Sequence, residues 1–478
     1  MTKNQNRHSS AIVLSLLIVS TLLAGCGRSA SSDGISDIGT TSTQESSVTE
    51  TLVSDGATGS DDRESDETYN LPPTDLEEAP ASDFVYEYDA DTQGIKIKKY
   101  TGTSIRVRIP DEIEGEPVTV IGKEAFLNGG MKYVYLPNSV TVISEYAFHN
   151  CEGLTEIIIP NSVKEIRGEE NSVASGAFSG CSALSRIEIP GSVKELGKFT
   201  FYNCHGLKEV IIQNGTERIG GSAFAFCDNL IDVELPDSVT EIGSGAFQGC
   251  INLTTIDLPD SVTVIGNGSF SSSGLTAIHL PASLNMMGSS VFQNCTNLTG
   301  IEIPGSVKEL DAWAFESCHG LKEVIIQNGV ERIGDYAFQR CDNLVKVEIP
   351  DSVTEIDGGA FSGCISLTTI DLPDSITLIG TGSFTDSGLT AIHLPVSLKV
   401  IGIEAFRNCA NLSDIESSCD LSSLDYADNM GMEIDLDGEK IYKKSKSGDY
   451  IFYGCPLSEE ARQLIHAAWP DTEFNWLD

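Results

Sequence analysis

The most informative pattern in this chain is a short run of alternating apolar and polar residues that ends abruptly. In residues 230–250, apolar side chains stand at Leu230, Val233 and Leu235, and the acidic residues Asp232 and Glu234 flank Val233. This alternation is typical of a short β-strand with one buried face. Pro236 should end the strand, because proline lacks a backbone N–H and has a fixed φ.

The remainder of this segment predicts a bend followed by a second buried stretch. The hydroxyl of Ser238 can satisfy backbone groups of a neighbouring copy. Gly243 is free to adopt the conformation of a return bend. Phe247 and Cys250 then fall in a predicted short helical turn that buries both side chains.

The whole phrase recurs about thirteen times, most often at a step of 23 residues. Its proline, replaced by glutamine at 213 and 327, stands at positions 110, 137, 160, 190, 213, 236, 259, 281, 304, 327, 350, 373 and 395. An insertion near residues 168–174 lengthens one step and should form a surface loop. One copy cannot bury its own apolar face, whereas stacked copies form a continuous core. The sequence therefore predicts an α/β solenoid of about 13 coils of about 23 residues, with a parallel concave sheet and short helical turns on the convex side.

A second periodicity lies above the first. Residues 190–303 and 304–417 align without gaps at an offset of 114, which is five repeats. Even departures from the pattern are copied, since His279 maps to His393 and Gln213 to Gln327. Duplication of a five-repeat block is the simplest explanation, and it suits an extended array better than an enzyme.

The phrase resembles the BspA-like branch of leucine-rich repeats, which occurs in bacterial surface proteins. The resemblance covers about residues 84–416, and the lead-in from Phe84 to Pro110 is similar to that family as well. It implies a leucine-rich-repeat solenoid at 110–416, preceded by an N-terminal β cap at 81–109. It also implies adhesion or recognition, with a host protein, another cell or a polysaccharide as partner.

The first residues of the chain are typical of an export signal. Lys3 and Arg7 precede an apolar run from Ala11 to Ala24, which is too short for a comfortable membrane span. The ending Leu-Ala-Gly-Cys26 resembles a bacterial lipobox. The resemblance implies cleavage of residues 1–25 as a lipoprotein signal peptide and a lipid on Cys26. An ordinary signal peptide with an incidental cysteine is the alternative.

Residues 26–80 have the composition of a disordered tether. Ser, Thr, Gly, Asp and Glu dominate, and aromatic residues are almost absent. Such a segment cannot bury enough apolar surface to offset the entropy of ordering it. It should hold the folded part of the chain away from the membrane, at the cell surface. Only the lipid on Cys26 would be anchored in the membrane.

The last 62 residues lack the repeat and are expected to form a C-terminal cap (417–478) that ends in an amphipathic helix from Leu457 to Trp469. Ten cysteines occupy the ladder position of the repeat and are interpreted as small buried hydrophobes. Cys419 and Cys455 lie outside that ladder. In an exported protein they are candidates for one disulfide or for two free thiols.

The net charge and the absence of metal-binding and catalytic motifs limit the possible functions. The 478 residues contain 70 acids against 30 Lys and Arg, for a formal charge of −40, which argues against nucleic acid as a partner. No spacing of cysteine or histidine suits a metal, and no nucleophile elbow, zincin motif or P-loop occurs. We therefore expect no catalytic activity and no cofactor.

The outward position of each predicted strand is the candidate binding surface. Polar and acidic side chains recur there, and on a concave sheet they would form a strip of negative potential. This face favours a monomeric adhesin that docks an extracellular protein or glycan, although a solvated face would have the same composition. A structural or accessory lipoprotein that acts as a spacer or presents substrate is the rival role. The candidate residues are Tyr135, Glu188, Glu234, Asp257, His279, Glu302, Glu348, Asp371 and His393.

Overall fold

The computed structural model describes residues 76–169, 172, 174–427, 433–434, 440–441 and 450–469. The predicted signal peptide, Cys26 and most of the predicted tether lie outside the described residues. The described part of the chain is a β-solenoid of about 14 turns of about 23 residues, with parallel strands and little helix. The predicted fold class is thereby confirmed.

Each typical coil contains one long strand, formed by the alternating segment, and one short strand, formed two to four residues after the Ser-Val or equivalent turn. In chain order the strands are β1 (Phe84–Asp89), β2 (Gly94–Tyr100), β3 (Arg106–Arg108), β4 (Glu112–Ile113), β5 (Glu116–Ile121), β6 (Tyr133–Tyr135), β7 (Val142–Ile143), β8 (Glu156–Ile158), β9 (Glu165–Ile166), β10 (Arg186–Ile189), β11 (Glu195–Leu196), β12 (Glu209–Ile212), β13 (Arg218–Ile219), β14 (Asp232–Glu234), β15 (Glu241–Ile242), β16 (Val264–Ile265), β17 (Met286–Met287), β18 (Gly300–Ile303), β19 (Glu309–Leu310), β20 (Glu323–Ile326), β21 (Arg332–Ile333), β22 (Lys346–Glu348), β23 (Glu355–Ile356), β24 (Leu378–Ile379), β25 (Ala391–Leu394), β26 (Val400–Gly402), β27 (Asp414–Ser417), β28 (Asp425–Ala427), β29 (Glu433–Ile434) and β30 (Lys440–Ile441).

Two parallel ladders run along the solenoid. The short strands pair in the orders β5-β7-β9-β11-β13-β15-β16-β17 and β19-β21-β23-β24-β26-β28. The long strands pair in four blocks, β3-β6-β8, β10-β12-β14, β18-β20-β22 and β25-β27. At the N-terminal end, β1 and β2 form the predicted strand pair, and β2 continues the short-strand ladder through β5.

The predicted short helical turns are hydrogen-bonded turns rather than helices. In the coil that contains Phe224, the N–H groups of Ser222, Phe224 and Phe226 donate to carbonyls of the next coil at 2.7–2.8 Å. Ser222 and Phe226 have positive φ, at 53° and 60°. Because alternate N–H groups donate to the next coil, they cannot form the i→i−4 hydrogen bonds of an α-helix.

Two stacks of side chains fill the interior. Consecutive phenylalanines from Phe126 to Phe452 stack with ring centroids 4.8–5.6 Å apart and planes within 14° of parallel. Each ladder thiol donates to the carbonyl of a phenylalanine in the preceding coil at 3.0–3.2 Å. The cysteines are buried, as predicted, and they also bond each coil to the one before it.

The turn serines add a third stack, as the sequence suggested. Their hydroxyls donate to a backbone carbonyl of the preceding coil at 2.5–2.8 Å. The nine serines are Ser139, Ser162, Ser192, Ser238, Ser261, Ser283, Ser306, Ser352 and Ser375.

The repeat continues beyond residue 416, where the sequence placed its end. Strand β27 pairs with β25, and β28 pairs with β26, so both ladders gain another coil. Phe452 then stacks on Phe406 at 5.3 Å, and the Cys455 thiol donates to the Phe406 carbonyl at 3.0 Å. Helix α1 (Glu459–Ala468) follows, with the Ser458 hydroxyl accepting from the Ala461 N–H. The predicted cap therefore includes a fourteenth coil whose turn comes from residues 450–455.

Candidate functional site: the outward face of the long strands

The long strands present two columns of outward side chains, which together we call the strand face. Alternate residues of a strand point to opposite faces, and parallel pairing aligns equivalent residues of successive coils. The outer column is Arg108, Tyr135, Ile158, Glu188, Ile211, Glu234, Asp257, His279, Glu302, Ile325, Glu348, Asp371, His393 and Glu416. The inner column is Arg106, Tyr133, Glu156, Arg186, Glu209, Asp232, Thr255, Ala277, Gly300, Glu323, Lys346, Thr369, Ala391 and Asp414.

All nine candidate residues of the sequence analysis fall in the outer column. Glu188 pairs in register with Ile211, and Ile211 with Glu234. Most of the nine side chains are exposed, but Tyr135 is 7% exposed and contributes little surface. The structure thus aligns these residues on one face while removing Tyr135 from the accessible part of it.

Two members of the outer column were not among the predicted site residues. Arg108 pairs with Tyr135 at the N-terminal end, and Glu416 pairs with His393 at the C-terminal end. Their alternation with buried neighbours was readable from the sequence, but each lies in a terminal coil where the repeat phrase is incomplete. Together they leave the column basic at its start and acidic at its end.

Several acids of the strand face are neutralised by neighbours. Arg186 lies 3.1 Å from Glu209 in the adjacent coil. Lys346 contacts both Glu323 at 2.5 Å and Glu348 at 2.6 Å, and the hydrogen bonds that its ammonium donates to these two carboxylates raise the pKa of Lys346. These exposed pairs lower the local charge without adding much stability.

The two glutamines that replace prolines have a role on this face. Gln213 and Gln327 lie two residues beyond Ile211 and Ile325, on the same side of the strand. Each amide donates to an outer-column carboxylate of the preceding coil, Gln213 to Glu188 and Gln327 to Glu302, the latter at 2.6 Å. The substitution therefore holds Glu188 and Glu302 in defined positions.

Other acids remain available to a ligand. Within the described residues, Glu234, Asp257 and Asp371 form no ion pair and no side-chain hydrogen bond. All three are exposed, and they project from the same column. The predicted acidic strip is therefore not continuous. It consists of separate unpaired carboxylates along the outer column.

Long-strand pairing lapses where the four blocks meet, and grooves lie at two of these places. One groove, of about 930 Å³, spans the junction between β8 and β10 and is lined by both strands. The other, of about 500 Å³, lies between Asp257, His279 and Glu302. The strand face therefore contains grooves as well as charged side chains.

Two of the described cysteines, Cys419 and Cys455, lie outside the predicted ladder, and both are free thiols in the structure. Cys455 is buried in the ladder position of the last coil, bonded to the Phe406 carbonyl. Cys419 is partly exposed and lies 3.2 Å from the Ser417 hydroxyl. The candidate disulfide between Cys419 and Cys455 is thus not formed in this structure, because Cys455 belongs to the solenoid core.

Among the described residues, no group of three or more His, Cys, Asp or Glu side chains is arranged to hold a metal ion. In the same residues, no helix combines the length and apolar composition needed to cross a bilayer.

The stacked strands, phenylalanines and thiols define this protein as a leucine-rich-repeat solenoid. The family model for the BspA type leucine rich repeat region matches residues 119–239, 166–276, 219–345 and 331–458. Because these matches cover most of the chain, it belongs to the BspA-type leucine-rich-repeat family.

Two solved structures are similar to this chain. A leucine-rich repeat protein from Bacteroides ovatus is 26% identical and has a TM-score of 0.52, covering 83% of this chain and 98% of its own. A leucine rich cell surface protein from Faecalibacterium prausnitzii is 28% identical, with a TM-score of 0.38 and coverage of 72% and 95%. Among curated proteins, no relative matched this chain.

Proposed function

We propose that this protein is an exported lipoprotein, anchored through Cys26, whose strand face binds a macromolecular partner outside the cell. The partner is an extracellular protein or a polysaccharide. The observation that carries the binding role is the outer column, which keeps Glu234, Asp257 and Asp371 exposed and unpaired on one continuous face. Solenoids of this kind use such extended faces for recognition.

Anchoring rests on the apolar run and the Leu-Ala-Gly-Cys26 ending. A fatty acyl chain binds a bilayer with roughly 0.8 kcal/mol per buried CH₂, so two or more chains hold a protein stably. Cells that express the full chain and are fed labelled palmitate should label it, and Cys26→Ser should remove both the label and the membrane fraction. Labelling of the Cys26→Ser chain would contradict the proposal.

The binding role is tested by reversing charges on the strand face. The chain from residue 27, which lacks the signal peptide and Cys26, is screened against extracellular matrix proteins and a glycan array. Replacing Glu302, Glu348 and Asp371 together with Lys should weaken each interaction found, because three carboxylates of the strand face are replaced by cations.

A matched control carries three reversals on the short strands. Glu165, Glu195 and Glu309 stand at the first, outward position of their strands and are exposed. Replacing these three with Lys changes the net charge by the same amount and should leave binding intact. Equal loss of binding in both triple variants would show that net charge, rather than the strand face, governs recognition.

A further inference from the structure

The strand face contains the same row of side chains twice. The first row is Glu188, Ile211, Glu234, Asp257 and His279. The second row is Glu302, Ile325, Glu348, Asp371 and His393, each residue 114 positions later and identical in type. The five-coil period therefore repeats the outward residues of the strand face as well as the buried residues that build a coil.

The structure repeats the geometry of the row along with its residues. Glu188, Ile211 and Glu234 pair in register, as do their counterparts in the second row. The first glutamate of each row accepts a hydrogen bond from a glutamine amide, Gln213 or Gln327. Long-strand pairing lapses after the third member in both rows.

Contacts elsewhere in the coils are copied too. His205 lies 2.9 Å from Asp228, and His319 lies 2.8 Å from Asp342. A partner group that fits one row would therefore meet the same outer-column side chains at the other, with Glu348 paired to Lys346 where Glu234 is unpaired.

The distance between the rows follows from the stacking. Equivalent residues are five coils apart, and paired strands are about 4.8 Å apart, so the rows are offset by about 24 Å along the strand face. We propose that the two rows are corresponding binding sites, and that one partner with regularly repeated basic groups occupies both at once. This inference rests on the proposed binding role of the strand face and adds its valency, its spacing and the charge of the partner.

Charge complementarity decides the chemistry of the partner. Each row presents three carboxylates and one half-buried isoleucine, and its aspartate is unpaired. Basic groups on a flexible chain meet these carboxylates at little steric cost, whereas an acidic polysaccharide would be repelled.

The inner column makes the two rows unequal in strength. Asp232 stands beside the first row, whereas Lys346 occupies its place beside the second and pairs with Glu348. The first row should therefore bind a cation more tightly than the second. Lys346→Asp should raise the affinity of the second row toward that of the first.

Occupying both rows with one partner has a calculable benefit. Once the first contact forms, the second becomes intramolecular, at an effective concentration in the millimolar range. For a single-row Kd of about 10 μM, the gain is roughly 100-fold. The gain should be greatest when the spacer between basic groups spans about 24 Å, since a shorter spacer cannot reach both rows.

The experiment uses the chain from residue 27 and two synthetic probes. The first is tetralysine, whose extended length of about 14 Å fits within one row. The second is two tetralysine arms joined by a flexible Gly-Ser spacer, in versions that set the arm centres less than, equal to and more than about 24 Å apart. Isothermal titration is run on the parent chain, on a first-row variant (Glu188→Gln, Glu234→Gln, Asp257→Asn) and on a second-row variant (Glu302→Gln, Glu348→Gln, Asp371→Asn).

We expect two tetralysines per parent chain, one per chain in each row variant, and none when the variants are combined. The matched-length double probe should bind the parent roughly 100-fold more tightly than tetralysine, and either row variant should lose that gain. One tetralysine per parent chain, or a gain that does not depend on spacer length, would overturn the two-site inference.

The outcomes separate this inference from the proposed function. If tetralysine binds once and only one row variant removes it, the strand face still binds but has a single site. If tetralysine binding is absent, or unaffected by both row variants, the inference fails for basic partners. The proposed function itself fails only if partners found in the screen of proteins and glycans also ignore the strand-face reversals.

Discussion

The buried thiols should make this solenoid sensitive to alkali. Burial raises the pKa of Cys204, Cys250 and Cys364 to about 12, and that of Cys295 to about 11, from an ordinary value of 9.0. It also raises the pKa of four further ladder cysteines: Cys181, Cys227, Cys318 and Cys341. The perturbation to apply is therefore a change of pH from 7 to 10.

The direction of the effect follows from proton binding. Above pH 9 the thiols of the unfolded chain lose their protons, while the buried thiols keep theirs until about pH 11–12. The unfolded state then binds fewer protons than the folded state, so the free energy of unfolding falls as pH rises. This stability is fully present below pH 9 and is lost progressively between pH 9 and 12.

The magnitude is large because the contributions add along the ladder. At pH 10, each thiol with a folded pKa of about 12 lowers the free energy of unfolding by about 1.4 kcal/mol. Together the four thiols with values of about 11 or 12 account for on the order of 5 kcal/mol, and the other four act in the same direction. That is comparable to the total stability of many domains.

The assay is urea unfolding followed by circular dichroism at pH 7, 8, 9 and 10, under reducing conditions. The matched variant replaces Cys204, Cys250, Cys295 and Cys364 with Ser. Serine already occupies the ladder position at Ser273 and Ser387, where it is 4% exposed and lies 3.2–3.3 Å from the next thiol. The variant should therefore fold, and it should lose about 5 kcal/mol less than the parent between pH 7 and 10. If both chains lose the same free energy, thiol burial is not the cause of the alkaline sensitivity.

Two further predictions concern stability at neutral pH, both measured by urea unfolding. Gly191→Ala should cost more than about 2 kcal/mol, since its new Cβ would lie 1.8 Å from a carbonyl oxygen of the next coil. Asp237→Ala, at the equivalent exposed position of another coil, should change the free energy of unfolding by less than about 0.5 kcal/mol. Equal effects of the two substitutions would contradict the predicted clash. Arg332→Met should cost about 1–3 kcal/mol, because Arg332 lies 2.5 Å from the buried Asp357 carboxylate. Arg218→Met, at the matching position of the first block, should cost under about 1 kcal/mol because its glutamate partner is exposed; a cost as large as that of Arg332→Met would refute the role of burial.

Much of the fold was predictable because each coil repeats the same physical requirements. Alternation around Val233 predicted a strand with one buried face, and the structure buries Val233 while exposing Glu234. Phe247 and Cys250 recur at fixed spacing, which predicted interior stacks. The outer column was predictable for the same reason, since a period of two assigns every second residue to one face.

The rest depended on interactions between coils that a single sequence pattern does not show. The turns near Phe224 were predicted as helical because Ala-Phe-x-x-Cys has helical spacing, but their alternate N–H groups bond the next coil instead. The last coil was missed because more than twenty residues separate β28 from Phe452. Cys455 consequently looked like a disulfide partner rather than the final member of the ladder.

The candidate site was predicted in outline and refined in detail. Its residues were placed correctly on one face, but Tyr135 is buried and Glu348 is paired with Lys346. Neither fact follows from the period of the repeat, because burial and pairing depend on side-chain conformation and on the neighbouring coil. The role of Gln327 in positioning Glu302 was likewise hidden, since glutamine appeared only as a substitute for proline.

In nearly every coil, a thiol and a serine hydroxyl donate to carbonyls of the preceding coil, and carbonyls of the same coil accept from the next one. Nearly every coil therefore has the same two edges, with donors on one side and acceptors on the other. Removing residues 304–417 would bring together edges that already match, and adding another such block would do the same. Gene rearrangements that change the number of blocks would therefore leave a foldable chain each time. A single gain or loss of a block would therefore change both the length of the solenoid and the number of rows on its strand face. No new interface between coils would have to evolve.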